Sequence, residues 1–415
     1  MLASSTRLSS RSSGVVLEDL IAVPIDVGKH TAAASVSDFT GRELVKTFEF
    51  RLDRAGIAEF VERVRAGSPA TAQLVRVGLE AAGHYHLPVA GPGVLPADWE
   101  LRILNPGHVS MQRKANGQRG VKTDKVDLVA IRDLLLVDAG HPPSATVDPV
   151  RELEAWASHR RRRSLARRRT IQQLTTQVDR CFPGLGSVMW SVVLSKAGRL
   201  VITELADPAR VVKLGPRRLR SFAANREVRM TRPLAEKIVE AARQSLPVHG
   251  AEIARTILAA DLQLLADIEN QITEAEAAIE AVLPATPFDV LRSAPGWGPV
   301  RVASYGAAVG EPSRWPSHRQ LYRAAGLTPR LYESAGRRRD GAITREGSVP
   351  LRVALVDLGM GLWHQDPASK HYAATMRDRG KPGGIITIAM AHRANKIAYA
   401  MVRDQQPWEP SRWAA

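Results

Sequence analysis

Four carboxylates of this 415-residue chain are placed where side chains could work on a phosphate. Asp26 and Glu80 each close a short apolar run, and Asp124 and Asp127 stand three apart at the start of a helical stretch, a spacing that shares one helix face. Carboxylates that converge repel one another unless a hard cation lies between them. Mg²⁺ takes oxygen ligands and keeps several waters, so metal-assisted phosphoryl transfer is the chemistry such a set suits. Singly each acid says little, because a pair such as Thr123-Asp124 at a helix start is ordinarily a cap. The combination carries the reading. His84 and His86 lie close to Glu80, but two histidines two apart on a loop are usually incidental and stay outside the set.

Two further groups suit nucleic acid. The stretch from Leu291 to Tyr305 holds Ala294-Pro295-Gly296-Trp297-Gly298-Pro299 and reads as a helix-hairpin-helix, in which Gly296 and Gly298 let backbone N–H groups approach a phosphate. An ordinary Gly/Pro turn is the alternative. Arg160, Arg161, Arg162 and Arg163, followed by Arg167, Arg168 and Arg169, crowd seven guanidinium groups into a few helical turns. They repel unless phosphates are near, the alternative being a solvated helix face. Composition agrees with a polyanionic partner: Lys and Arg number 58 against 42 Asp and Glu, giving a formal charge of +16.

The elements that must position these groups follow from periodicity. Ile21 to Asp26, Thr31 to Asp38 and Glu43 to Phe50 read as three antiparallel strands. A helix over Arg54 to Arg65, strands over Gln73 to Leu79 and Glu100 to Leu104, and a helix from about Thr123 come next. This order is that of an α/β ribonuclease H-like domain, although a helix between the last two strands is weakly marked. In such a sheet the first and fourth strands are neighbours, so Asp26 and Glu80 emerge together. Past Pro142-Pro143 no strand signal remains to Cys181, and Leu258, Leu265, Ile268, Ile272, Ala275, Ile279 and Val282 follow three- and four-residue steps until Pro284. These two helical stretches suggest an antiparallel coiled-coil arm, or a helix pair inside one bundle. The expected layout is a disordered tail over 1–18, the α/β domain over 19–146, the helical arm over 147–284 and a mainly α domain over 285–415.

Composition bounds the setting. With 44% apolar and 24% charged residues the chain is not globally disordered, and no apolar run is long enough to span a bilayer. The single Cys181 allows no intramolecular disulfide and there is no zinc-spaced Cys/His cluster, so a cytoplasmic, nucleoid-associated protein is expected.

Several motifs carry a resemblance to a known family. Ile25-Asp26-Val27-Gly28-Lys29, Gly78-Leu79-Glu80-Ala81-Ala82-Gly83-His84-Tyr85, Asn105-Pro106 and Lys122-Thr123-Asp124-Lys125-Val126-Asp127 resemble, in order and spacing, the amino-terminal domain of DEDD recombinases encoded by insertion sequences of the IS one-hundred-and-ten family. That domain is similar to the RuvC-type Holliday-junction resolvase, which implies a RuvC-like fold and assigns the four acids to Asp26, Glu80, Asp124 and Asp127. Gly326-Leu327-Thr328-Pro329 through Ser334-Ala335-Gly336, then Arg337-Arg338-Arg339, Gly347 and Leu351-Arg352, resembles the family's carboxy-terminal transposase domain. By that match Ser334 is the nucleophilic serine. The family's Ser-Gly is here Ser334-Ala335-Gly336 and its Gly-Asn is Gly347-Ser348, which makes Ser348 a rival.

The resemblance implies a DNA transposase that mobilises its own element through a 5′-phosphoserine intermediate, with Mg²⁺ on the acidic tetrad. It also implies a structured, element-encoded bridge RNA and a DNA partner; the coiled-coil arm suggests a homo-oligomer, dimer or tetramer, and the distance in sequence between Ser334 and the acids is consistent with assembly of the site in trans between subunits. Arg337, Arg338 and Arg339, with the arginines of the arm and Gly296 and Gly298, are the expected nucleic-acid contacts. Rival readings are a hydrolytic Holliday-junction nuclease and a non-catalytic nucleic-acid-binding protein.

Overall fold

The computed structural model describes residues 17–81, 83–118, 123–143, 148–334 and 337–413, so all but the last two residues of the expected disordered tail lie outside it. The chain forms two compact units, Met1–Ala145 and Thr146–Ala415.

The first unit is built on a five-stranded sheet of β1 (Leu20–Val27), β2 (Thr31–Ser37), β3 (Glu43–Arg51), β4 (Leu74–Glu80) and β5 (Glu100–Leu104), in the order β3-β2-β1-β4-β5. Pairing is antiparallel from β1 to β3 and parallel from β1 through β4 to β5, an arrangement consistent with a ribonuclease H-like domain. Alternation along β1 and β4 divides the core. Ile21, Val23, Ile25, Val77 and Leu79 face α1 (Arg54–Gly67) through Phe60, whereas Ala22 on the other face joins a second cluster with α2 (Pro106–Ala115) and α3 (Asp124–Leu136). Gly78 lies on that second face, where a Cβ would stand 2.5 Å from Leu135. Only glycine lets α3 lie so close.

A buried ion network fixes the far end of α3. Arg76, fully buried, pairs with Glu100 at 2.7 Å and Asp138 at 3.0 Å and donates to the carbonyl of Leu135 at 2.9 Å; Arg102 joins Glu100 and Asp138. Among the described residues no helix joins β4 to β5. Residues 83–98 run through turns, because Pro88, Pro92 and Pro96 with Gly91 and Gly93 interrupt any helical ladder. Helix α2, which periodicity does not reveal, begins at Asn105-Pro106. Asn105 Oδ1 accepts from the Gly107 N–H at 2.8 Å and Pro106 occupies the first turn.

The second unit is carried by two long helices, α4 (Asp148–Cys181) and α9 (Ala251–Val282). Arg160 meets Glu276 at 2.7 Å and Arg167 meets Glu269 at 2.8 Å, so seven residues forward on one helix is seven back on the other. The pair is antiparallel. Helices α5 (Leu185–Val188), α6 (Lys196–Glu204), α7 (Pro208–Ala224) and α8 (Arg232–Gln244) fill the span between them. They share one core with Leu174, Val178, Leu258 and Leu265. At the opposite end Val150, Leu153 and Ile279 enter a larger core with the carboxy-terminal elements. These are α10 (Pro299–Val309), α11 (His318–Ala324), a hairpin of β6 (Pro329–Ser334) and β7 (Arg337–Ile343), α12 (Val349–Gln365), α13 (Pro367–Asp378), α14 (Gly383–Asp404) and α15 (Pro410–Trp413). No helix among the described residues is long and apolar enough to cross a membrane.

Candidate functional site

Parallel pairing of β1 with β4 runs to Ile25 opposite Leu79, so Asp26 and Glu80 are the next residues of two adjacent strands. Alternation puts both on the face that carries Gly78 and is covered by α3. Helix α3 starts there because Thr123 caps it, its hydroxyl accepting from the Val126 N–H at 3.3 Å. In the first turn Asp124 stays exposed while Asp127, one turn on, is 2% exposed. Asp127 is not alone. Its carboxylate accepts a hydrogen bond from the guanidinium of Arg113, a residue of the last turn of α2. Asn116, just past that helix, donates to Asp133 of α3 at 2.7 Å, so the two helices are tied at two points.

The donor chemistry suits a hard divalent cation, since all four acids offer carboxylate oxygens and Asp26 and Glu80 are neighbours. The arrangement is incomplete as a cation site: among the described residues no three His, Cys, Asp or Glu side chains come together in a way that could hold a metal ion. Arg113 is the residue that sequence reasoning missed. Nothing in the periodicity of α2 marks it, and only the packing of α2 on α3 brings it to Asp127.

Ser334 ends β6 and its backbone is in register with Arg337, the first residue of β7; Glu333 and Tyr332 lie opposite Arg338 and Arg339. Ala335 and Gly336, the departure from the family pattern, lie outside the described residues, as does Lys122. The base of the hairpin is anchored through Gly347, whose φ is +142° and where a Cβ would stand 2.2 Å from the Ala324 carbonyl. Ser348 Oγ accepts from the Leu351 N–H at 3.3 Å and so caps α12. That bond gives Ser348 a structural use.

The segment read as a helix-hairpin-helix has a 3₁₀ turn, Asp289–Ser293, in place of a first α-helix, because Pro287 and Pro295 leave too short a run. Gly296 takes φ +74° and touches the backbone of Gly361, while the buried Trp297 donates its indole N–H to Leu358 at 2.8 Å. Gly298 begins α10 with no side-chain cap and open space where a Cβ would be.

The arm arginines divide into two sets. Arg160 and Arg167 are bound to Glu276 and Glu269, whereas Arg161, Arg162, Arg168 and Arg169 are exposed and have no acidic partner among the described residues. Arg163 is half-buried. Seven-residue spacing aligns Arg161 with Arg168 and Arg162 with Arg169 along the helix, about 10 Å apart. Arg199 also binds Glu269, at 2.6 Å, and its hydrogen bond is the main reason that the Glu269 carboxyl titrates below the ordinary glutamate range, Arg167 adding to it. A second basic surface escaped the sequence reading: α7, kinked at Gly215-Pro216, exposes Arg210, Lys213, Arg217, Arg218 and Arg220 and contains no acid.

A family model of DEDD type, described as a transposase, matches residues 23–183, and one described as the IS116/IS110/IS902 transposase family matches residues 289–374. The chain is 26% identical over 398 residues, covering 95% of it and 97% of the relative, to the insertion element IS116 uncharacterized 44.8 kDa protein of Streptomyces clavuligerus. It is 27% identical to the IS110 uncharacterized 43.6 kDa protein of Streptomyces coelicolor over 57% of this chain and 59% of that protein. With the IS900 uncharacterized 42 kDa protein of Mycobacterium paratuberculosis it shares 26% identity over 52% of this chain and 55% of that one.

Proposed function

Because the chain belongs to the IS116/IS110/IS902 family of insertion-element transposases, we propose that it cleaves and rejoins DNA strands through Ser334. In the proposed step a bond forms between the Ser334 Oγ and a DNA phosphorus, the bond to the 3′ oxygen breaks, and the serine proton ends on that oxygen. One phosphate ester replaces another, so the linkage retains the energy needed to rejoin strands. The hairpin supports this reading best: the backbone of Ser334 is in register with that of Arg337, and Arg338 and Arg339 follow along β7, so the serine belongs to a strongly basic stretch of chain that suits work on a phosphate.

Asp26, Glu80, Asp124 and Asp127 are proposed to act in the same reaction, holding Mg²⁺, which when bound would neutralise charge on the phosphate. The four exposed arm arginines, Arg163, Gly296, Gly298 and the basic face of α7 are proposed nucleic-acid contacts. A bridge RNA, a dimer or tetramer joined through a coiled-coil arm, and a division into 19–146, 147–284 and 285–415 complete the proposal. Sequencing of copurifying RNA and sedimentation of the purified protein test the RNA and the oligomer.

The deciding experiment uses a suicide DNA substrate nicked beside the cleavage position, so that a short fragment is lost and religation fails. Wild type should be trapped as a denaturation-resistant adduct, and Ser334→Ala should bind DNA yet form none. Adduct formation by Ser334→Ala would move the nucleophile to another residue, and wild-type cleavage without any linkage would establish the hydrolytic junction nuclease instead. Asp26→Ala and Glu80→Ala should abolish strand transfer with binding retained, as read by gel shift beside the transfer assay.

A further inference from the structure

One of the four acids of the cation reading, Asp127, already has a positive partner. Asp127 is almost fully buried, and the partner that satisfies it is Arg113, whose side chain is 17% exposed. A buried carboxylate demands a positive partner, and here a guanidinium supplies it in place of a metal. A cation held by Asp127 at about 2.1 Å would lie close to the guanidinium charge, and the two positive charges would repel at that range.

We infer that Arg113 is the resident counter-ion of Asp127 and that its charge competes with a divalent cation for the acidic site. The inference rests on the proposed use of the acids as a cation site. Arg113 is thus a positioning residue, setting how tightly the site holds its cation through Asp127. Removing its charge should leave the fold standing, because α2 keeps its buried Val109 and the Asn116–Asp133 hydrogen bond. The loss should appear as an uncompensated acid that seeks a cation.

The test is Mn²⁺ binding to the full-length protein, followed by electron paramagnetic resonance, with thermal unfolding measured alongside. Arg113→Gln should bind Mn²⁺ at least about tenfold more tightly than wild type. It should unfold at a lower temperature without the cation and recover more than wild type when Mn²⁺ is added. Arg113→Lys should stay near wild type, since an ammonium still neutralises Asp127, and Asp26→Asn or Glu80→Gln should lose the added affinity. If Arg113→Gln binds no more tightly while Asp26→Asn still abolishes binding, Arg113 is a structural brace and the inference fails with the cation site intact. If Asp26→Asn and Glu80→Gln leave Mn²⁺ binding unchanged, the cation site and the inference fall together. Should Arg113→Gln not fold, Arg113→Met is read by the same criteria, and a variant of either kind that unfolds regardless of Mn²⁺ also overturns the inference.

Discussion

Ser348 and Gly347 separate the chemistry of the serine hairpin from its support. Ser348→Ala removes the oxygen that caps α12, so the second unit should lose about 1 kcal/mol while the Ser334 adduct still forms. Denaturant unfolding run beside the trapping assay reads both. Gly347→Ala should cost more than the cap, because its backbone lies at positive φ and the Ala324 carbonyl fills the space that a methyl needs. Loss of adduct in Ser348→Ala would return that serine to candidacy as the nucleophile.

At the scale of elements, the arginine run of α4 divides into paired and exposed members. Substituting Arg161, Arg162, Arg168 and Arg169 by Gln should weaken DNA or RNA binding and flatten its salt dependence without moving the unfolding midpoint, because these side chains have no intramolecular acid partner among the described residues. Substituting Arg160 and Arg167 should do the reverse, loosening the pairing of α4 with α9. Glu269→Gln is expected to destabilise the second unit by about 1–2 kcal/mol, since it weakens the hold on Arg199 and Arg167 in a partly exposed setting. The sign with pH follows from the lowered carboxyl of Glu269. Its contribution is complete above the ordinary glutamate range near 4.3 and is lost as pH falls through the lower folded value, so the gap between wild type and Glu269→Gln should close in acid. Thermal unfolding across pH 2 to about 7 tests this.

For the whole molecule, two units with separate cores imply two unfolding events. Glu100→Ala strips a partner from the buried Arg76 and should lower only the first unit's transition, by roughly 3 kcal/mol. Trp297→Ala empties a buried indole site and should lower only the second, by about 3–5 kcal/mol. Differential scanning calorimetry distinguishes the two, and a single transition displaced by both variants would contradict independent units.

The sequence by itself determined the strands β1 to β5, because their alternation and flanking turns are local, and it brought Asp26 and Glu80 together through the order of those strands. It also marked α9, whose apolar steps and terminal proline are legible without neighbours, and the helical character of α4, where no strand signal remains. The weak marking of a helix between the last two strands agrees with the turns of residues 83–98, whereas periodicity could not reveal that α2 would form at Asn105-Pro106 or that β6 would pair with β7. Tertiary structure alone decided which charges meet. Arg160 and Arg167 became internal partners of Glu276 and Glu269 because the antiparallel register aligned them, and Arg113 met Asp127 because α2 packs on α3. A charge in sequence has a type but no partner, and burial makes partnership obligatory.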